Sequence, residues 1–123
     1  FYLQQLEKLN IDWIILAGFL RKIPRELITQ YPKKIINLHP SLLPSFGGKG
    51  MYGDFVHQAV LASGTDRSGI TIHYVNEEFD KGEIIAQFTC RVDREDTASM
   101  LSAKIHLLEQ QHFPLIIEKT ISE

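Results

Sequence analysis

The sequence is poor in several features, and each shortage excludes a class of protein. It has one cysteine, Cys90, so no disulfide can close within the chain, and a reducing setting such as the cytoplasm suits it. Its 13 Lys and Arg are outnumbered by 15 Asp and Glu, a formal net charge of −2, which gives no electrostatic case for nucleic acid. No apolar run approaches the roughly 20 residues needed to cross a bilayer, and no signal-peptide pattern is visible, so no membrane partner is expected. The five histidines show no metal-ligand spacing. A Gly-rich stretch exists, but no Gly-Lys-Ser/Thr follows it, so it is not a nucleoside-triphosphate loop. Repeats, low-complexity segments and interdomain linkers are also lacking. At 123 residues the chain is one domain at most.

What is present is an alternation of apolar patterns. Residues 1–10 have apolar positions at near-helical spacing with no capping residue before them, so the chain is expected to start inside a longer protein. Residues 11–17 (IDWIILA) form a nearly continuous apolar run, as in a strand buried on both faces. A helix is expected over 21–30, with Pro24 near its start, then a buried strand over 34–38. Helix, strand, helix, strand predicts an α/β fold: a mostly parallel twisted sheet with flanking helices. Four glycines punctuate the loop 46–53, where mobility would suit a closing lid. Asp54 is a candidate N-cap for a helix to about Ala62, and 63–69 reads as a turn. In 70–75, Ile70, Ile72 and Tyr74 share one face, with Thr71, His73 and Val75 on the other. A strand over 84–92 follows too closely for a helical crossover, so it is expected to lie antiparallel near the C-terminal edge. A last helix is capped by Asp96 or Thr97 and broken at Pro114.

The run Asn37-Leu38-His39-Pro40-Ser41-Leu42-Leu43-Pro44 carries the strongest chemical signal. Residues two apart in a strand point the same way, so Asn37 and His39 present an amide and an imidazole side by side. Pro40 ends the pairing because it has no N–H. Leu43-Pro44 is one place where a cis bond would shape the turn. An Asn amide and a protonated His are both donors and could hold an oxyanion growing on a carbonyl or formyl carbon. A carboxylate such as Asp80 could orient the imidazole and help take a proton from an attacking amine. No Ser or Cys nucleophile is needed. Taken singly, a His-Pro pair at a strand end is usually a satisfied turn, and Asp80 before Lys81-Gly82 an ordinary turn aspartate. His73 is balanced between facing such a site and packing elsewhere. Lys49 reads as a solvated loop residue, Cys90 as a small core residue, and His57, His106 and His112 as surface or helix-packing residues.

The strings INLHPSLLPSFGGKGMYG, HQAV and SGITIHYVNEEFDKGEIIAQ, with IDWIILAGFLRKI before them and LLEQQHFPLII after, resemble the phosphoribosylglycinamide formyltransferases of the folate-dependent formyltransferase family. The resemblance covers essentially the whole chain. It implies transfer of a formyl group from 10-formyltetrahydrofolate, as co-substrate, to the amine of glycinamide ribonucleotide in purine biosynthesis, with no metal. It implies catalytic roles for Asn37, His39 and Asp80. For the folate it implies Leu20, Arg21 and Ile23, apolar walls from Leu16, Ile35 and Val75, and the loop Asn76, Glu77, Glu78, Phe79. For the nucleotide it implies the Leu20 backbone, Pro40 and Glu109, the last as acceptor for a ribose hydroxyl. Residues 1–123 would be the C-terminal two-thirds of one formyltransferase domain, lacking the family's upstream Gly/Ser-rich phosphate-binding turn. Such a fragment would expose a strand edge and invite association, so a homo-oligomer is left open. A formyltetrahydrofolate hydrolase, with water replacing the amine, and a folate-binding fragment without turnover are the alternatives. A methionyl-tRNA formyltransferase is disfavoured, since no basic tail or extra domain is present to hold a tRNA.

Overall fold

The structure, a computed structural model, describes residues 2–17, 23–48, 50–76 and 82–123. Helices α1 (Tyr2–Lys8), α2 (Arg25–Gln30), α3 (Asp54–Ser63) and α4 (Ala98–Ser122) surround strands β1 (Ile14–Ala17), β2 (Ile35–His39), β3 (Arg67–Tyr74) and β4 (Ile84–Arg91). The strands form one sheet in the order β1-β2-β3-β4. β1 and β2 are parallel, while β2/β3 and β3/β4 are antiparallel. The sheet is therefore mixed, with the expected antiparallel strand at its C-terminal edge.

The period-2 pattern of the strands decides which helix packs where. Ile36, Leu38, Ile70 and Ile72 point to one face, where they meet Val56 and Val60 of α3 and Leu101 and Ile105 of α4. On the opposite face Ile35 meets Leu27 and Tyr31, with Leu3, Leu6, Ile14, Leu16 and Val75 packed around them. Eight of these side chains, from Ile35 to Ile105, are at most 1% exposed. Burying one such side chain contributes about 1.5–3 kcal/mol. A register shift between Ile72 and His73 leaves Ile85 as an extra residue on β4, and it turns into the first cluster.

Several boundaries differ from the sequence expectation, each for a local reason. Ile11 does not begin β1: its N–H bonds Leu6 O at 3.1 Å while Asn10, at φ 57, bonds Glu7 O at 3.1 Å. That pair of bonds closes α1 with an Asn in the left-handed position, a Schellman ending. β1 is also not buried on both faces, since Ile15 is 37% exposed; among the described residues β2 is its one neighbour in the sheet. Pro24 stands before the second helix rather than inside it: it is extended (ψ 139) and acts as the N-cap of a helix that begins at Arg25. A residue before proline is pushed out of the helical region, which keeps Ile23 outside.

Gly53, at φ 56 and ψ −136, takes the N-cap position expected for Asp54. Only glycine enters that region without strain. Asp54 instead sits in the first turn, where its charge suits the helix dipole. β3 starts at Arg67, inside the segment read as a turn. Gly69 is a strand residue there because a Cβ would overlap Phe88 O and crowd Leu42 Cδ2. Finally, α4 runs through Pro114 to Ser122. A mid-helix proline costs about 3 kcal/mol, here offset by Phe113 and Ile116 packing against the core on either side.

Candidate active site

Strand register builds the site as rows on the sheet face that carries α2. The row nearest α2 is apolar: Ile14 faces Ile35, and Val75 N donates to Ile35 O at 2.9 Å. One step further along, Leu16, Asn37, His73 and Ile84 lie opposite one another across all four strands. In the last row His39 faces Thr71, which faces Gln87. Polarity thus rises toward the C-terminal end of β2. Among the described residues no helix covers these last positions. The connection after β2 covers them instead, with Ser41 and Leu43 buried.

Buried polar groups need partners, and here the partners fix geometry. His39 is 4% exposed, and its Nε2 lies 2.9 Å from Phe46 O. A carbonyl only accepts, so Nε2 carries a proton and donates. Phe46 reaches that position at φ 56, a conformation unusual for a bulky residue. Asn37 Nδ2 lies 3.2 Å from His73 Nε2. His73, 2% exposed, donates from Nδ1 to Tyr74 O at 3.0 Å.

Thr71 pins the loop. Its hydroxyl donates to Ser41 O at 2.7 Å and accepts from Leu43 N at 3.0 Å and Gln87 Nε2 at 2.9 Å. One donor and two acceptor sites are the full capacity of a hydroxyl. Gln87 also donates to Leu43 O at 2.9 Å, and Ser41 Oγ donates to Ser45 O at 2.7 Å. The peptide bond Leu43-Pro44 is cis.

Around the C-terminal ends of β1 and β2 the opposite face opens into a cleft of about 420 Å³, lined by Ala17, Leu38, His106, Glu109, Gln110, Phe113 and Pro114. Burial pushes the Glu109 carboxyl above the ordinary carboxylate range, against the opposing pull of His106, whose Nε2 is 3.9 Å away. A crevice at the carboxyl ends of parallel strands is where open α/β sheets bind ligands.

The structure therefore brings Asn37 and His39 onto one face, with Pro40 directly after them. Leu16, Ile23, Ile35 and Val75 belong to the apolar cluster on that face. Asn76 follows β3 and is exposed. Glu109 lies across the sheet, at the cleft. Asp80, Leu20, Arg21, Glu77, Glu78, Phe79 and Lys49 lie outside the described residues. Among the described residues no group of three or more His, Cys, Asp or Glu could hold a metal ion. Sequence reasoning left His73 undecided and did not single out Ser41, Thr71 or Gln87 as supports. The available signal was Thr71 and His73 sharing a face on an otherwise apolar strand.

Away from the site, Cys90 packs against the core, and burial pushes its thiol up, opposed by Lys104. His112 stacks on Phe88 with ring centroids 3.8 Å apart, and His57 is buried on α3.

Comparison with known proteins places this geometry. The family model described as "Formyl transferase" matches residues 2–117. The chain is 51% identical over 107 residues to the chloroplastic phosphoribosylglycinamide formyltransferase of Arabidopsis thaliana, covering 87% of this chain and 36% of that protein. The crystal structure of phosphoribosylglycinamide formyltransferase from Bacillus halodurans is 36% identical, with a TM-score of 0.90 over 99% of this chain and 60% of its own. A formyltetrahydrofolate deformylase structure from Pseudomonas syringae is 28% identical, with a TM-score of 0.83 over 94% of this chain and 37% of its own. The chain thus spans about a third to three-fifths of the length of these relatives. With its residues matched almost end to end and its site rows formed by the same strands that carry the motif, the chain belongs to the formyl transferase family.

Proposed function

We propose that this chain forms the transfer site of a phosphoribosylglycinamide formyltransferase, moving the formyl group of 10-formyltetrahydrofolate to the amine of glycinamide ribonucleotide in purine biosynthesis. The observation that carries the reading is the pair Asn37 and His39, two buried-edge donors on one face of β2, roughly 6.6 Å apart along the strand. An apolar wall lies on the same face, and the cleft that holds Glu109 lies across the sheet, at the ends of β1 and β2.

The amine attacks the formyl carbon and a C–N bond forms. The carbonyl oxygen becomes an oxyanion, held by the Asn37 amide and a protonated His39. Phe46 O engages Nε2–H of His39 and so fixes the orientation of the ring. Asp80 supports the imidazolium and, directly or through water, takes the proton released by the amine. As the intermediate collapses, the bond to the folate nitrogen breaks, and that nitrogen receives the proton as tetrahydrofolate leaves. No group outside the two substrates and the side chains is consumed, and the step as written uses no metal.

Leu16, Ile23, Ile35 and Val75 offer the apolar wall for the folate, and Leu20, Arg21 and the loop 76–79 are assigned to the folate as well. Pro40 and the Leu20 backbone are assigned to the nucleotide, and Glu109 accepts from its ribose. A carboxyl pushed up by burial, as Glu109 is, gains from a hydroxyl donor that relieves its desolvation. Residues 1–123 form the C-terminal part of the domain, in a cytoplasmic protein.

The test is Asn37→Ala and His39→Ala in the intact protein. Each should lower kcat by about 100–1,000-fold, the usual effect of losing one oxyanion donor, in protein that is still folded at the assay temperature; the lost bonds to Phe46 O and His73 should lower each urea midpoint as well. Near-normal turnover in both would sink the assignment. Hydrolysis is the second reading, favoured by the likeness to a deformylase structure; it keeps the same oxyanion donors and replaces the amine by water.

A further inference from the structure

We propose that His73 is the positioning residue that holds the Asn37 side-chain amide with its NH2 group turned into the site. The proposal rests on the reading that Asn37 donates to the formyl oxygen.

The two ends of an Asn amide have nearly the same shape, and a half-turn of the side chain exchanges donor for acceptor. An oxyanion site works in one of these states alone. With its NH2 forward, Asn37 stabilises the growing charge; with its carbonyl forward, it repels it. Something in the fold must choose between them. The hydrogen bond from Nδ2 to His73 Nε2, 3.2 Å long, makes that choice.

His73 can do so because its own state is fixed from the other side. Nδ1 faces the carbonyl oxygen of Tyr74 at 3.0 Å. A carbonyl cannot donate, so Nδ1 bears the hydrogen. In the neutral ring Nε2 then has a lone pair and can only accept. An amide oxygen placed there would meet no hydrogen, whereas an amide NH2 meets an acceptor. The second N–H of Asn37, about 120° from the first, is the one left for substrate. Backbone carbonyl, imidazole and amide thus form a relay of hydrogen bonds, each member setting the next.

Three features keep the relay in place. Asn37 and His73 are directly opposed in the antiparallel ladder between β2 and β3, so the backbone sets their separation. His73 is 2% exposed, which leaves little water to take over either role. Gly82 lies against both groups: a Cβ there would overlap Tyr74 O and stand 3.4 Å from His73 Nδ1.

Nitrogen-15 spectra of the intact labelled protein test the relay directly, with His73 assigned by comparison with a His73 variant. A protonated Nδ1 and an unprotonated Nε2 at the pH of assay support it. A proton on Nε2 would overturn it, because Asn37 would then have to turn its oxygen to the ring. This readout needs no turnover, so it fails or succeeds separately from the transferase reading.

Two variants test the consequence. His73→Leu removes the acceptor and should lower kcat by about 10–100-fold with KM for both substrates little changed. His73→Gln can place an amide oxygen where Nε2 stood and should restore most of that loss. Equal losses in the two variants, tracking their urea midpoints, would reduce His73 to a packing residue and overturn the proposal.

Discussion

Thr71 shows how a single side chain at the site carries structural cost. Its hydroxyl joins Ser41, Leu43 and Gln87 in one buried set of hydrogen bonds. Thr71→Val keeps the shape and deletes the bonds, leaving Leu43 N–H and Ser41 C=O unpaired. An orphaned buried group costs about 1–3 kcal/mol, so the variant should lose about 2–4 kcal/mol by urea unfolding; Thr71→Ser should lose far less. The same substitution should lower turnover, since the loop it frees carries Phe46 O, the partner of His39. At this scale the sequence was partly legible. Asn37 and His39 could be read because strand period and a following proline are local signals. The Thr71 set joins residues 16 to 44 apart in the chain, and no local pattern announces such contacts.

The last helix is the element whose ends and interior are best explained. Thr97 Oγ1 accepts from Met100 N at 3.2 Å as its N-cap, and Thr97→Ala should lower stability by about 1 kcal/mol. Just before it, Lys104 holds Asp96 and Asp93 at 2.6 and 3.0 Å. Hydrogen bonding from Lys104 holds the Asp96 carboxyl below its ordinary range. Against this helix packs α3, with His57 3% exposed and, among the described residues, its Nδ1 unbonded. Burial lowers the His57 pKa below 6.5, with Asp54 opposing and His106 adding to the shift. The unfolded chain therefore takes up this proton first as the solution is acidified. Stability should fall as pH drops from about 6.5 through the lowered folded value, and be retained above it. His57→Leu should flatten that part of the pH dependence of the urea midpoint between about pH 7.5 and 5.5. An unchanged slope would mean that His57 is not the group responsible. Element types were readable from periodicity, but their ends were not. Asn10, Pro24 and Gly53 each set a boundary through a backbone conformation, and Gly69 lies inside β3 because Phe88 O leaves no room for a Cβ; both are visible only in three dimensions.

Across the whole molecule, the two sheet faces divide the work. One packs on α3 and α4, carries the larger apolar core and opens into the cleft at Glu109. The other grades from an apolar wall at α2 to donors at the end of β2. Among the described residues β1 pairs with β2 alone, and Ile15 is exposed. No helix among the described residues is long and apolar enough to cross a membrane. The fold class was legible because helix and strand patterns alternate cleanly. The exposure of β1 was not, because its continuous apolar run encodes two covered faces. The central claim, that these donors serve transfer to an amine, is tested most directly by following tetrahydrofolate release from 10-formyltetrahydrofolate in the intact protein, with and without glycinamide ribonucleotide. The account predicts release that depends on the nucleotide, with formyl recovered on its amine. Equal release in its absence would contradict it and make water the acceptor.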